Sequence, residues 1–141
     1  MHHLADIKKP NIVNEVTIRA VSDYFNQANV TFHCGDFAET VQGIRQGSFV
    51  YFDPPYDPVS TSASFTGYDK GGFNRKEQKR LKALCDQLDT LGIKFLLSNS
   101  ATDFILDLYK DYKIEIVTAR RMVNSQADKR GVVDEVLVRN Y

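Results

Sequence analysis

The sequence predicts an α/β fold, and three observations carry that expectation. Short apolar runs of strand length alternate along the chain with longer stretches of helical periodicity. One of those runs, Ser48-Phe49-Val50-Tyr51-Phe52, stops abruptly at Asp53-Pro54-Pro55-Tyr56. Neither proline can donate to a strand ladder, and Pro54 disfavours a helical backbone at Asp53. The last two strand-like stretches, 113–119 and 132–140, are joined by a polar loop with no helical pattern, so they are expected to pair antiparallel.

Taken in order, residues 1–10 carry no periodic pattern and are expected to fray. A helix is expected from Asn14, which can cap it, to about Asn29, with Ile18, Val21, Phe25 and Ala28 recurring at helical spacing. Residues 30–34 read as a strand closed by Gly35-Asp36-Phe37, and 38–45 as a short helix ended by Gly47. The apolar run at 48–52 is the expected central strand. Residues 53–74 form a long loop rich in Pro, Gly, Ser and Thr, with Phe65, Tyr68 and Phe73 among them. Loops of that length in compact domains are usually functional or disordered. Asn74 followed by Glu77 resembles a capping box. It opens a helix to about Leu91 with Leu81, Leu84, Cys85, Leu88 and Leu91 on one face, stopped by Gly92. Residues 93–97 read as a buried strand, followed by Ser98-Asn99-Ser100. A helix at 102–109 is capped by Ser100 or Thr102, and the two final strands follow.

The chain has 141 residues, 43% apolar and 26% charged, enough for one domain spanning 1–141 with a real core. No apolar run is long enough to span a membrane and no signal peptide is apparent, so a cytoplasmic location is expected. Cys34 and Cys85 lack metal-ligand spacing and read as reduced, buried or half-buried thiols; no metal site is expected. Formal net charge is zero, so any contact with nucleic acid must come from local clusters of Lys and Arg.

The chemistry concentrates at the end of the central strand. In open α/β sheets ligands bind at the carboxyl ends of strands. There Asp53 offers a carboxylate, and the carbonyl of the next residue is held rigid by proline. Together they can accept both hydrogens of an amino group on a planar ring, raising electron density on its nitrogen as it turns tetrahedral. Tyr56 can stack on the ring. The group of residues suits the exocyclic amine of a nucleobase taken out of its stack.

Asp53-Pro54-Pro55-Tyr56, followed by Asp57-Pro58-Val59-Ser60-Thr61-Ser62-Ala63-Ser64-Phe65-Thr66, closely resembles the Dam-type DNA adenine methyltransferases. The resemblance continues through Ser98-Asn99-Ser100 and 134–141 and covers the chain from about Pro10 onward. It implies transfer of a methyl group from S-adenosylmethionine to N6 of adenine in duplex DNA, usually within GATC. Asp53, Pro54, Pro55 and Tyr56 would be the catalytic residues. Asp36 and Phe37, with Asp53 and Tyr56, would contact the cofactor, Asp36 accepting from its adenine amine. Ser60, Ser62, Ser64 and Phe65 look like the DNA-facing loop. Arg120, Arg121, Asn124, Ser125, Lys129 and Arg130 could contact phosphates or form a solvated hairpin.

The chain departs from the family pattern in three large respects. It contains no Gly-x-Gly, so the family's Phe-x-Gly-x-Gly loop for the methionine part of the cofactor is absent. The family's N-terminal lysine-containing segment and most of its target-recognition domain are absent too. The expectation is therefore a partial Rossmann-like class I methyltransferase sheet lacking its first two strands, with an incomplete cofactor site. Its central strand would have an exposed edge, to be covered by residues 30–34, by a second copy or by a complementing N-terminal half. Such a chain would be a catalytic-motif fragment, inactive alone. The alternatives are a non-catalytic truncated remnant with at most weak DNA binding, or amino-methylation of another base.

Overall fold

The computed structural model describes residues 13–59, 72–120 and 132–141. Contacts divide the chain after Asp36 into two compact units.

In the first unit, helix α1 (Glu15–Gln27) starts where expected: the Asn14 side chain accepts from the Thr17 amide at 3.1 Å. Its apolar positions are in helical register, yet none of its residues is buried. The strand expected at 30–34 does not form. The segment has no regular secondary structure and joins no ladder among the described residues, and the Phe32 ring packs edge-on against Phe25 at 5.2 Å instead. A strand needs a neighbour to take its amides and carbonyls; here the apolar side chains found a local contact. Cys34, expected to be at least half-buried, is exposed.

The second unit holds the sheet. After α2 (Phe37–Thr40), shorter than expected because the chain turns through Gly43 at φ +76°, comes β1 (Phe49–Phe52). The remaining elements are α3 (Arg75–Thr90), β2 (Lys94–Ser100), α4 (Asp103–Leu108), β3 (Lys113–Arg120) and β4 (Val132–Arg139). Asn74 caps α3, its side chain accepting from the amides of Lys76 and Glu77. Glu77 does not reciprocate as a capping box would; its carboxylate pairs with Arg80. Gly92, at φ +68°, turns the chain out of α3. Leu91, expected on the buried face, is exposed at the helix cap.

The result is an open four-stranded mixed sheet in the order β1-β2-β4-β3. β1 and β2 are parallel, joined over α3, and β4 runs antiparallel to both β2 and β3, as expected for the final pair. The strand expected to be central is therefore an edge strand among the described residues, and residues 30–34 do not pair with it. Register assigns the two faces. Phe52, Phe95, Leu97, Val136 and Val138 point to the same side and form the core with Leu81, Leu84, Cys85 and Leu88 of α3, Ile105 of α4 and Tyr109. The opposite side carries Phe49, Tyr51 and Val117, which are 55%, 54% and 39% exposed.

Candidate active site

Parallel pairing sets Phe52 beside Leu97, so the next residues of each strand, Asp53 and Ser98, meet at the carboxyl end of the sheet. The Ser98 hydroxyl donates to Asp53 Oδ1 at 3.0 Å, and lies 3.1 Å from the Tyr51 hydroxyl. Ser98 is buried while Asp53 is exposed. Among the described residues, Asp53 Oδ2 has no hydrogen-bond partner. Ser98-Asn99-Ser100, expected to follow β2, are its last three residues.

The turn after Asp53 is pinned from behind. The Gln78 side-chain amide on α3 donates to the Pro55 carbonyl at 2.8 Å. The Asn99 amide group donates to Gln78 Oε1 at 3.1 Å, while Asn99 Oδ1 accepts from the Asp57 amide at 2.9 Å. Among the described residues the Pro55 carbonyl is engaged and the Pro54 carbonyl is not. All peptide bonds described are trans.

Asp57 completes the anchor. Its carboxylate accepts a two-bond fork from Arg75, at 2.9 and 3.0 Å, and a third bond from the Thr102 hydroxyl at 2.8 Å. The Arg75 guanidinium lies 4.5 Å above the Phe104 ring. The hydrogen bond to Asp57 pushes the Arg75 guanidinium further above its already high range. Thr102 also caps α4, accepting from the Ile105 amide. One buried carboxylate thus ties the post-strand turn to the starts of two helices.

Tyr56 is half-buried at the end of this turn. Burial raises its hydroxyl above the ordinary phenol range, against a hydrogen bond with Ser98, and the carboxylates of Glu135 and Asp53 raise it further. Phe37 is half-buried at the start of α2, its ring 5.7 Å from Phe73 and beneath the Arg80 guanidinium at 4.3 Å. Asp36, the last residue of the first unit, is half-buried as well. Asp53, Pro54, Pro55 and Tyr56 are brought together. Ser60, Ser62, Ser64, Phe65, Arg121, Asn124, Ser125, Lys129 and Arg130 lie outside the described residues, and Arg120 enters only as the backbone end of β3.

Sequence reasoning missed Ser98, Gln78, Asn99, Asp57, Arg75 and Thr102 as supports of this site. A signal was present for two of them. Gln78 precedes Leu81, Cys85 and Leu88 at helical spacing, which places an amide on a buried face. Asn99 alternates with Phe95 and Leu97, which does the same on a strand. A buried amide must find partners. Nothing comparable marked Asp57 and Arg75, which lie eighteen positions apart.

What the described residues could hold of a cofactor is limited. Within the second unit, a half-buried aromatic ring at Phe37 and the exposed carboxylate of Asp53 are groups of the kind that suit a planar base bearing an amine. Among the described residues, no three His, Cys, Asp or Glu side chains converge as metal ligands. No helix among them is long and apolar enough to cross a membrane.

Comparison with known proteins bears on the family of the chain. The chain is 39% identical over 134 residues to a type II methyltransferase of Lactococcus lactis subsp. cremoris, covering 95% of the chain and 47% of that protein. It is 42% identical over 136 residues to a type II methyltransferase of Methanocaldococcus jannaschii, covering 95% of the chain and 46% of that protein. It is 34% identical over 109 residues to the DNA adenine methylase of Escherichia coli, covering 77% of the chain and 39% of that protein. The chain spans less than half the length of these relatives. The profile of one family matches residues 5–123, and the chain belongs to that family, the D12 class N6 adenine-specific DNA methyltransferases.

Proposed function

We propose that this chain carries the amine-activating centre of an S-adenosylmethionine-dependent DNA adenine N6-methyltransferase acting on duplex DNA, with GATC as the target the resemblance implies. The observation that carries the reading is the pair of acceptors at the end of β1. Asp53 Oδ2 and the Pro54 carbonyl have no partner among the described residues, while the neighbouring acceptors, Asp53 Oδ1 and the Pro55 carbonyl, are engaged by Ser98 and Gln78. The free pair would accept the two hydrogens of the adenine amine, and Tyr56 would stack on the extruded base. The cofactor, when bound, supplies an electrophilic methyl group. The Asp53 carboxylate and the Pro54 carbonyl would hold the amine in place for that transfer, and the Asp53 carboxylate would take up the proton that the methylated nitrogen releases. No covalent enzyme intermediate is required, so neither Cys34 nor Cys85 has a chemical role. Asp36 and Phe37 would contact the adenine end of the cofactor, and the loops carrying Ser60, Ser62, Ser64, Phe65, Arg121, Asn124, Ser125, Lys129 and Arg130, with Arg120, would track the DNA backbone.

The edge of β1, unpaired among the described residues, favours a second reading for the isolated chain: it needs a complementing N-terminal half or a second copy for turnover, and alone is a weak DNA binder at most. Calorimetric titration with S-adenosylmethionine, followed by methyl transfer to a GATC duplex, separates the two. Saturable binding and transfer, abolished in Asp53→Ala, support the catalytic reading. Transfer that persists in Asp53→Ala sinks it, and absence of binding leaves the second reading standing.

A further inference from the structure

We infer that Tyr51 and Ser98 are positioning residues, forming a one-way hydrogen-bond relay that locks one oxygen of Asp53 and thereby aims the other. This rests on the proposal that Asp53 accepts from the target amine, and goes beyond it in naming what orients the carboxylate.

The direction of the relay follows from proton counting. A carboxylate at neutral pH accepts only, and a serine hydroxyl has one proton. The 3.0 Å contact between Ser98 Oγ and Asp53 Oδ1 therefore uses the Ser98 proton. The competing acceptors are the Phe52 carbonyl at 3.5 Å and the Tyr56 hydroxyl, and an ionised acceptor at 3.0 Å outweighs either neutral one. With that proton committed, the 3.1 Å contact between the Tyr51 and Ser98 hydroxyls can only have Tyr51 as donor. The order is Tyr51 to Ser98 to Asp53, and each donation polarises the next hydroxyl so that it donates more strongly.

The strands impose the same order. β1 sends Tyr51 and Asp53 to one side of the sheet, and parallel register with β2 brings Ser98 to that side between them. Ser98 is buried at 3% exposure, so it cannot exchange its partner for water, whereas Asp53 is exposed and would otherwise sample several rotamers. A carboxylate fixed through Oδ1 presents Oδ2 in one direction only. Catalytic groups held by such supporting contacts lose less orientation freedom when the substrate arrives.

The test reads the Asp53 side chain in the full chain, by nuclear magnetic resonance with isotope-labelled aspartate, assigned through Asp53→Asn. Three-bond couplings across χ1 should report a single rotamer in the unaltered chain. In Ser98→Ala they should shift to the rotamer average, in Ser98→Thr they should return to the single-rotamer values, and Tyr51→Phe should lie between. Couplings already averaged in the unaltered chain, or unchanged in Ser98→Ala, would overturn the relay. If Ser98→Ala fails to fold by its amide spectrum, Tyr51→Phe, altered at a half-exposed ring, carries the test, and unchanged couplings there overturn it equally. The couplings do not depend on turnover. Methyl transfer by Asp53→Ala would refute the amine-accepting role of Asp53 and leave the relay to be judged by its own readout.

Discussion

The residue with the largest structural leverage near the site is Asp57, which sequence inspection passes over. Its side chain is 1% exposed, while its partner Arg75 is 60% exposed. The two ends of this ion pair therefore differ in what their loss would cost. Removing Arg75 leaves a buried carboxylate with, among the described residues, the Thr102 hydroxyl to satisfy it. Breaking a buried pair in this way typically costs about 3–5 kcal/mol, and the exposure of the guanidinium argues for the lower end of that range. Removing both members relieves the unpaired charge. Arg75→Leu should therefore lower the melting temperature by roughly 10 °C, at about 3 °C per kcal/mol for a chain of this size. The double variant Asp57→Ala, Arg75→Leu should recover part of the loss. A double-mutant cycle by thermal unfolding checks it, and additive losses would show that the pair is not coupled.

At the scale of elements, α3 was legible because its signals are local: Asn74 as cap, apolar residues at helical spacing, Gly92 as stop. β2 and β4 were legible as apolar runs for the same reason. The strand expected at 30–34 was not, because a strand's existence depends on a partner that no local pattern encodes. β2 extends through Ser98-Asn99-Ser100 because β4 continues to pair with it, Ser98 opposite Leu137 and Asn99 opposite Val136. The candidate site divides in the same way. Asp53 to Tyr56 could be read because proline punctuates a strand, whereas the supports come from three other elements and appear only once the register is known. The packing of α3 against Tyr109 carries a pH signature. Burial pushes the Cys85 thiol up to about 12 from 9.0, and burial raises the Tyr109 hydroxyl as well. Both groups are acids that fold in the neutral form, so the unfolded chain loses its protons first. The Cys85 contribution to stability is complete below about pH 9 and is lost as pH rises through the window up to about 12, and that of Tyr109 begins to be lost above pH 10.0. For Cys85 the slope approaches about 1.4 kcal/mol per pH unit. Denaturant unfolding across that window should show falling stability, with a shallower slope in Cys85→Ala. A slope unchanged by that substitution would assign the effect elsewhere.

At the scale of the whole molecule, the open side of the sheet decides behaviour in solution. Among the described residues no strand pairs with the outer edge of β1, Phe49, Val50, Tyr51 and Phe52, which carries no charge, and Phe49 and Tyr51 lie half exposed on the face opposite the core. Natural edge strands are usually blunted by lysine, proline or a bulge, and this one has none within its length. The formal net charge is zero, so electrostatic repulsion between copies gives little protection near neutral pH. The apolar face could be relieved by a complementing segment, by the chain's own remaining residues or by another copy, and in a purified single chain the last of these is the one that depends on concentration. Sedimentation velocity at rising concentration should therefore show species heavier than 16.0 kDa. Phe49→Lys, which places a charge on both the edge and the face, should return the chain toward monomer without disturbing Asp53, Ser98 or the turn behind them. A chain that stays monomeric at all concentrations would mean that its own residues cover the edge in solution. The case for a complementing half would then have to rest on cofactor binding alone.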